Sequence, residues 1–275
     1  MNKEELFISL ISSSKLQGDD GAYINGYVYS KDAFFENIHF KKEWLTPKQI
    51  AIKSSLINIS DAIAMNASPK YALLSIAMPK DISKNEIQEL SDGFLECAKK
   101  YNYEIIGGDT IANNKLDITM TFISTTKKPI FRNNIKDNEI ICFTGNLGES
   151  KRDLNRLFRG KKIKKTSKFI TPIIRDKFME KASRYITSSL DISDGLFKEL
   201  ERLSKINNIG YKFHKKFDKQ IGCSGEEYEF LFAIDKRNLK YIKNISKITK
   251  TPINIVATAQ KSKIYKSICK EHHFD

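Results

Sequence analysis

The 275-residue chain contains little proline and little cysteine, which are abundant in disordered chains and in zinc-binding or disulfide-rich proteins respectively. It has only six prolines and four cysteines. Few prolines, together with an 11% share of aromatic residues, argue against a disordered chain. The cysteines form no CxxC pair, which argues against a sequence-local zinc site and favours reduced thiols. They stand at positions 97, 142, 223 and 269.

Long hydrophobic runs are also missing. The longest, Tyr71 to Met78, is far below the length of a membrane span. The N-terminal apolar stretch, Leu6 to Ile11, is too short and too acidic at its front for a signal peptide. The sequence therefore predicts a soluble, cytoplasmic protein.

The net charge of +14 allows two interpretations. One is attraction to a polyanion such as nucleic acid, and the other is general surface basicity that also suits anionic phosphate substrates. The basic residues are mostly lysines spread along the chain, and no basic motif with interleaved aromatic residues is present. General basicity is the better interpretation, because charge alone indicates steering and not function.

The usual phosphate-binding motifs are absent. The chain has no GxxxxGK[ST] loop, no GxGxxG and no protein-kinase HRD or DFG motif. The turn 145–148, Gly-Asn-Leu-Gly, fits the end of a strand better than a phosphate loop. Any nucleotide site must therefore be built in another way.

Hydrophobic periodicity predicts mixed helices and strands in both halves of the chain. Thr46 is expected to cap one helix, and Ser83 with Glu86 forms a capping box for the next. The lysine-rich segment 150–170 is interpreted as a join or a long surface segment. We predict an α/β protein of the α+β type with two mixed domains, 1–140 and 141–275. The predicted helices are 2–13, 47–66, one behind Ser83, 175–186, 194–207 and 236–249. The predicted strands are 22–30, 33–40, 71–78, 103–106, 116–124, 139–144, 188–192, 211–213 and 253–259, and a turn followed by a strand is predicted within 222–234.

Aspartates stand where these elements begin or end. Asp20 precedes the first strand, and Asp32 follows a strand end. Asp61 lies on a helix, on the same side as its apolar stripe. Asp109 follows two glycines after an apolar strand, and Asp191 and Asp194 flank a strand-to-helix crossing. Each has an ordinary explanation as a turn residue, a helix cap or half of an ion pair.

Taken together, the aspartates indicate a site for several magnesium ions. Mg²⁺ is a hard cation that prefers oxygen ligands, and phosphoryl transfer uses such ions to bridge phosphate oxygens. Ser193 and the amides that follow it would meet a phosphate at a helix N-terminus. The result is a nucleotide site without a Walker loop.

The chain resembles the thiamine-monophosphate kinase family, within the superfamily that includes aminoimidazole ribonucleotide synthetase and selenophosphate synthetase. Six motifs occur in order and cover most of the chain, and the segment 272–274, His-His-Phe, resembles the family's closing residues. The motifs are 18–22 (GDDGA), 32–40 (DAFFENIHF), 58–65 (NISDAIAM), 106–110 (IGGDT), 191–196 (DISDGL) and 225–229 (GEEYE).

The resemblance implies direct transfer of the γ-phosphate of ATP to thiamine monophosphate, with magnesium ions. It also implies a homodimer built through a mostly antiparallel sheet of the N-terminal domain. No residue is assigned as a general base. The implied magnesium ligands are Asp20, Asp32, Asp61, Asp109, Asp191 and Asp194. The implied nucleotide contacts are Ser30, Gly108, Arg132 and Ser193, and the contacts on the thiamine phosphate side are His39 and Glu226.

The chain departs from the family pattern at several positions. Lys31 stands where Thr is usual, Asn66 replaces Gly, and Glu227 replaces Asp. Ile268 stands where an aromatic residue is expected near the end. Two other hypotheses remain: a related enzyme that uses ATP on another small molecule, such as a carbonyl, and a non-catalytic basic protein that binds nucleotide or nucleic acid.

Overall fold

A computed structural model describes residues 3–12 and 14–270. The segment 272–274 that resembles the family's closing residues lies outside the described part. Helices and strands alternate in both halves and build two five-stranded sheets. The helices are α1 Lys3–Ile11, α2 Pro47–Ala64, α3 Lys84–Tyr101, α4 Glu149–Phe158, α5 Asp176–Ala182, α6 Leu196–Asn207, α7 Lys219–Gly222 and α8 Leu239–Thr249. The strands are β1 Ala22–Ile24, β2 Tyr27–Phe35, β3 Ser68–Pro79, β4 Glu104–Asn113, β5 Asp117–Thr125, β6 Ile140–Thr144, β7 Ile186–Asp191, β8 Gly210–Phe213, β9 Phe230–Ile234 and β10 Ile253–Gln260.

The first sheet has the order β1-β2-β5-β3-β4. All neighbours are antiparallel except β3 and β4, which are parallel. Helix α2 packs on β2, β5 and β3, and α3 packs on α2. Both predicted caps are confirmed: Thr46 and Gln49 form a capping box at α2, and Ser83 and Glu86 form another at α3. The mostly antiparallel sheet expected for this half is therefore present.

The second sheet has the order β7-β9-β6-β10-β8 and is antiparallel throughout. Its central strands β6 and β9 are buried along their whole length. Helix α6 packs its apolar residues, among them Leu196, Leu200 and Leu203, into one core cluster of this half. The α+β class predicted from the sequence is confirmed.

The largest cluster of buried hydrophobic residues runs through both halves. It joins Phe34 and Phe122 of the first sheet to Phe178, Phe230 and Phe232 of the second half. Helix α2 contacts β7 and α5 as well as its own sheet. The predicted boundary after residue 140 coincides with the start of β6, and the division into two domains stays a prediction.

Several predicted strand bounds were wrong. The strand expected over 33–40 ends at Phe35, and within 222–234 only Phe230–Ile234 is a strand. β2 continues through Lys31 and Asp32, because every residue from Tyr27 to Phe35 pairs with β5. β4 continues through the Gly-Gly-Asp-Thr segment, because it pairs with β3 up to Asn113. A Cβ atom on Gly108 would lie 1.6 Å from the carbonyl oxygen of Leu74, so only glycine allows the two strands to approach here.

The lysine-rich segment 150–170 is not a simple surface join, because it contains most of α4. Gly148 precedes the helix with a φ of 98°, and the Glu227 carboxylate accepts hydrogen bonds from the backbone N–H groups of Gly148 and Ser150. This cap comes from a residue 79 positions later, so local sequence patterns cannot reveal it. Lys168, at the other end of the segment, is buried.

The expectation of reduced thiols was wrong for two of the four cysteines. Cys223 and Cys269 form a disulfide across 46 residues, with Cα atoms 5.6 Å apart. Such long-range pairing depends on the fold and cannot be read from spacing. Cys97 and Cys142 are free and buried. Among the described residues, no helix has the length and apolar character that a membrane span requires.

Candidate active site

A large cleft of about 1510 Å³ lies between the two halves. Its wall is formed by the segment before β1, by β2 and α2, by α4, and by the residues after β7. Segments that are far apart in sequence therefore meet at one cavity, which is the usual setting of a small-molecule site.

Three of the predicted metal ligands converge in this cleft. Each of Asp20, Asp61 and Asp191 offers a carboxylate oxygen, and these oxygens lie within 4.8 Å of one another. Asp20 comes from the loop before β1, Asp61 from α2 and Asp191 from the end of β7. Ser60 donates a hydrogen bond to Asp191 with an O–O distance of 2.6 Å. The fold thus assembles a carboxylate cluster from three distant segments.

The cluster is electrostatically strained. Burial, and then the charges of Asp32, Asp191 and Asp20, raise the pKa of Asp61 well above its usual value. Burial and the charge of Asp20 also raise the pKa of Asp191 well above its usual value. Burial and Asp20 raise the pKa of Asp32 to about 6. The repulsion between crowded buried carboxylates of this kind is relieved by binding either protons or a cation.

Arg132 supplies part of that compensation. Its guanidinium group donates a hydrogen bond to Asp20 Oδ1, and its backbone N–H donates to Asp19 at 2.6 Å. Burial still raises the pKa of Asp20 although Arg132 opposes this shift. The second oxygen, Oδ2 of Asp20, is buried and has no hydrogen-bond partner among the residues that the structure describes. An unsatisfied buried carboxylate oxygen inside an acidic cluster fits the donor set of Mg²⁺.

Of the other three predicted metal ligands, Asp32 and Asp194 line the cleft and Asp109 does not. Asp32 lines the same cleft. Asp194 also lines it, and its carboxylate pairs with Arg202 at 3.0 Å. Asp109 does not line the cleft, because it lies on the exposed strand β4, three strands away from β2. At a strand spacing of about 4.8 Å, that separation is roughly 14 Å.

Of the four predicted nucleotide contacts, two line the cleft and two do not. Arg132 and Ser193 line the cleft. Gly108 lies beside Asp109 on β4 and outside the cleft. Ser30 is buried, and its hydroxyl lies 3.5 Å from the carbonyl oxygen of Asn58. Within one chain, the structure therefore brings together two of these four residues.

Both residues predicted on the acceptor side line the cleft. The Nδ1 atom of His39 accepts a hydrogen bond from the backbone N–H of Phe35 at 2.9 Å. Glu226 has a φ of 55° and pairs with Lys53, with Nζ and Oε2 2.6 Å apart. Lys53 is fully buried on α2 and lies 3.9 Å from the centroid of the Phe169 ring. Sequence reasoning missed Lys53, because it stands in an unremarkable helical run.

Sequence reasoning also missed a cluster of charged residues around the buried carboxylate of Glu229. Glu229 accepts hydrogen bonds from Arg175 and Lys168, each at 2.9 Å. Burial raises the pKa of Glu229, but the hydrogen bonds and charges of these two cations lower it by more, so the pKa of Glu229 is below its usual value.

Gly145 has a φ of 65°, and a Cβ atom there would lie 1.8 Å from the carboxylate of Glu229. The Gly145 turn is thus a structural turn that leaves room for Glu229.

Comparisons with known proteins place this fold and site in a class. Residues 18–126 match the family model described as AIR synthase related protein, N-terminal domain. The Escherichia coli hydrogenase maturation protein HypE has the same fold, with a TM-score of 0.73, 12% identity, and coverage of 94% of this chain and 91% of that chain. Residues 18–126 therefore match the N-terminal domain of AIR synthase related proteins, and the whole chain has a fold that HypE shares.

Closer relatives identify the family. The thiamine-monophosphate kinase of Buchnera aphidicola subsp. Schizaphis graminum is 33% identical, with coverage of 89% of this chain and 85% of the relative. That of Leptospira interrogans is 31% identical, with coverage of 84% and 82%. The crystal structure of the Aquifex aeolicus enzyme matches with a TM-score of 0.83 at 19% identity, and covers 97% of this chain and 96% of that chain. The chain belongs to the thiamine-monophosphate kinase family.

Proposed function

We propose that this protein transfers the γ-phosphate of ATP to thiamine monophosphate and so forms thiamine diphosphate and ADP. The observation that carries the proposal is the convergence of Asp20, Asp61 and Asp191 in a cleft, in a chain of this family. A related protein of known structure, described as AaThiL complexed with AMPPCP and TMP, shares the fold with a TM-score of 0.84 at 20% identity. Since the reaction consumes ATP, a cytoplasmic location belongs to the same proposal.

Asp20, Asp61 and Asp191 would hold magnesium, with Asp32 beside them and Asp194 at the edge of the cleft. When bound, the ions supply charge neutralisation on the transferring phosphoryl group. The chain contributes a preformed set of oxygen donors and the Arg132 guanidinium, which neutralises part of their charge. Ser193 would contact the nucleotide from the end of β7.

No general base is required. The acceptor is itself a phosphate, and a phosphate monoester is largely ionised near neutral pH, since its second pKa is about 6. His39 fits a binding role better than proton abstraction. Its Nδ1 accepts a hydrogen bond from the backbone N–H of Phe35, which fixes the orientation of the ring at the cleft. The task of the cleft is to hold two anions side by side.

We further propose a homodimer built through the first sheet. Strand β4 is an edge strand and is exposed along nearly its whole length. Leu73, Ile106 and Ile111 are 40%, 51% and 56% exposed. An exposed, apolar edge strand invites pairing with another chain. Edge-to-edge pairing along β4 would place the Gly108 and Asp109 of a second copy even farther from the cleft, so we propose that the second copy packs face to face on this apolar surface, which allows its Gly108 and Asp109 to reach the cleft.

Mixing two inactive variants tests this shared site. Asp61→Asn and Asp109→Asn homodimers are each expected to be inactive. After random re-pairing, half of the dimers are mixed and each has one intact site, so about a quarter of the wild-type activity returns. The measurement is turnover after unfolding and refolding the two variants together. Activity in Asp109→Asn alone would remove Asp109 from the metal site, and no recovery in the mixture would contradict the shared site.

A coupled assay tests the reaction itself. Purified protein is incubated with Mg-ATP and thiamine monophosphate, and thiamine diphosphate and ADP are followed by chromatography. We expect equal amounts of both products, formed only with magnesium present. ATP turnover with another acceptor, but not with thiamine monophosphate, would keep the ATP site and reject the acceptor. No turnover and no ATP binding would favour a non-catalytic basic protein.

A further inference from the structure

An aromatic row crosses the cleft from Glu226 toward α4. The Lys53 ammonium group, paired with Glu226, lies over the ring of Phe169. Phe169 is in edge contact with Trp44, with ring centroids 6.2 Å apart. Trp44 is in turn in edge contact with Phe158, with centroids 5.1 Å apart and an interplanar angle of 89°. The row therefore runs from the predicted acceptor contact Glu226 to Phe158 at the end of α4.

Phe158 occupies an unusual position in this row. It lies at the end of α4 and is 64% exposed, although it lines the cleft. Leu154, four residues earlier, lines the same wall, so α4 presents an apolar stripe to the cavity. A single exposed aromatic residue on a convex surface needs no explanation, but one inside a concave cleft offers a ligand a surface to cover.

The aromatic surface also accepts positive charge. The ammonium group of Lys41 lies 5.4 Å from the centroid of Trp44 and 6.0 Å from that of Phe158. These distances are those of cation–π contacts, in which the negative face of the ring attracts a cation. A flat ligand with a delocalised positive charge that displaces the Lys41 ammonium group from these rings would gain stacking and the same electrostatic attraction.

We propose that Trp44 and Phe158 bind the cationic heteroaromatic ring of the phosphate acceptor and determine selection of that acceptor. The inference rests on the proposed function, since the thiazolium ring of thiamine monophosphate is such a ligand. His39 and Glu226 lie in the same cleft and are left to contact the polar groups of the acceptor. The carboxylate cluster and Arg132 serve the other substrate. Trp44 and Phe158 therefore affect the KM for the acceptor and not the KM for ATP.

A series of substitutions at Phe158 tests the assignment. Phe158→Ala removes the stacking surface, so it is expected to raise the KM for thiamine monophosphate about tenfold. Phe158→Tyr keeps the ring and should stay within about twofold of the wild type. Phe158→Leu keeps apolar bulk without a ring and should resemble Phe158→Ala. Leu95→Ala, which removes an exposed apolar side chain on α3 outside the cleft, is the matched control and should change nothing.

Direct binding is measured by fluorescence, because Trp44 is the only tryptophan in the chain. Titration with thiamine monophosphate, and with thiamine, is expected to quench the emission, whereas inorganic phosphate leaves it unchanged. In Phe158→Ala the dissociation constant for both ligands should rise by the same factor as the KM.

Three results would overturn the inference: an unchanged acceptor KM in Phe158→Ala, full activity in Phe158→Leu, or equal loss of affinity for ATP. A wild-type protein that forms no thiamine diphosphate would instead reject the proposed function. The titration with thiamine would then still decide whether this surface binds the cationic ring.

Discussion

An Asp61→Asn variant is expected to lose activity and to gain stability in the absence of magnesium. The oxygens of Asp61, Asp20 and Asp191 lie within 4.8 Å of one another, so their charges repel in the folded protein. Removing one charge relieves that repulsion, which we expect to raise the free energy of unfolding by on the order of 1 kcal/mol. The same change removes a metal ligand and should lower kcat by about three orders of magnitude or more.

Two measurements separate these effects. Thermal unfolding without metal should show a higher Tm for Asp61→Asn than for the wild type, and added magnesium should raise only the wild-type Tm. Asp81→Asn, at an exposed position before α3, is the control and should leave both quantities unchanged. A lower metal-free Tm in Asp61→Asn would mean that Asp61 has a structural role, and unaltered turnover would remove it from the metal site.

Glu226→Gln is expected to destabilise the protein much more than Lys53→Met, although both changes break the same ion pair. The side chain of Lys53 is fully buried, whereas that of Glu226 is 25% exposed. Glu226→Gln leaves a buried ammonium group without its counter-charge, which should cost about 3 kcal/mol. Lys53→Met leaves Glu226 within reach of water and places an apolar side chain near Phe34 and Phe169, so its cost should stay below about 1 kcal/mol.

Urea unfolding at neutral pH measures both values. The double variant should be more stable than Glu226→Gln alone, because it removes the isolated charge. Glu96→Gln serves as the control: it breaks a 2.8 Å ion pair with Lys48 in which both side chains are about half exposed, and should cost less than about 1 kcal/mol. An equal loss of unfolding free energy in Glu226→Gln and Lys53→Met would contradict the argument that the difference in burial between the two side chains decides the cost.

The sequence predicted much of the acidic site because its aspartates stand in short motifs at the ends of elements. Asp61 follows Ile57 by one helical turn, and this spacing alone placed it on the packed side of α2. Asp20 and Asp191 were recognised in the same way, from the loop before β1 and the end of β7. Their convergence in space is a property of the fold. The pattern of aspartates indicated a shared magnesium site, and the resemblance to a family implied the same residues as its ligands.

The parts that were missed depend on contacts between distant residues. The start of α4 is stabilised by Glu227, and the lysine-rich appearance of the segment hid both this helix and the buried Lys168. The Gly-Gly-Asp-Thr segment resembled a strand end because glycine usually weakens a strand. Here Gly108 instead allows β4 to lie against β3. Lys53 gave no signal at all, because its partner is 173 residues away.

The shared core has a consequence for synthesis of the protein on the ribosome. Phe34, Leu56 and Phe122 belong to the same core cluster as Phe178 and Phe230, which are made later. When only the first 140 residues have emerged, part of the apolar surface of the first half has nothing to cover it. A nascent chain in this state is prone to aggregate, and exposed apolar segments are what chaperones bind. Slow translation between β6 and β9 would prolong this exposure, so the yield of folded protein should depend on the rate of elongation in the second half.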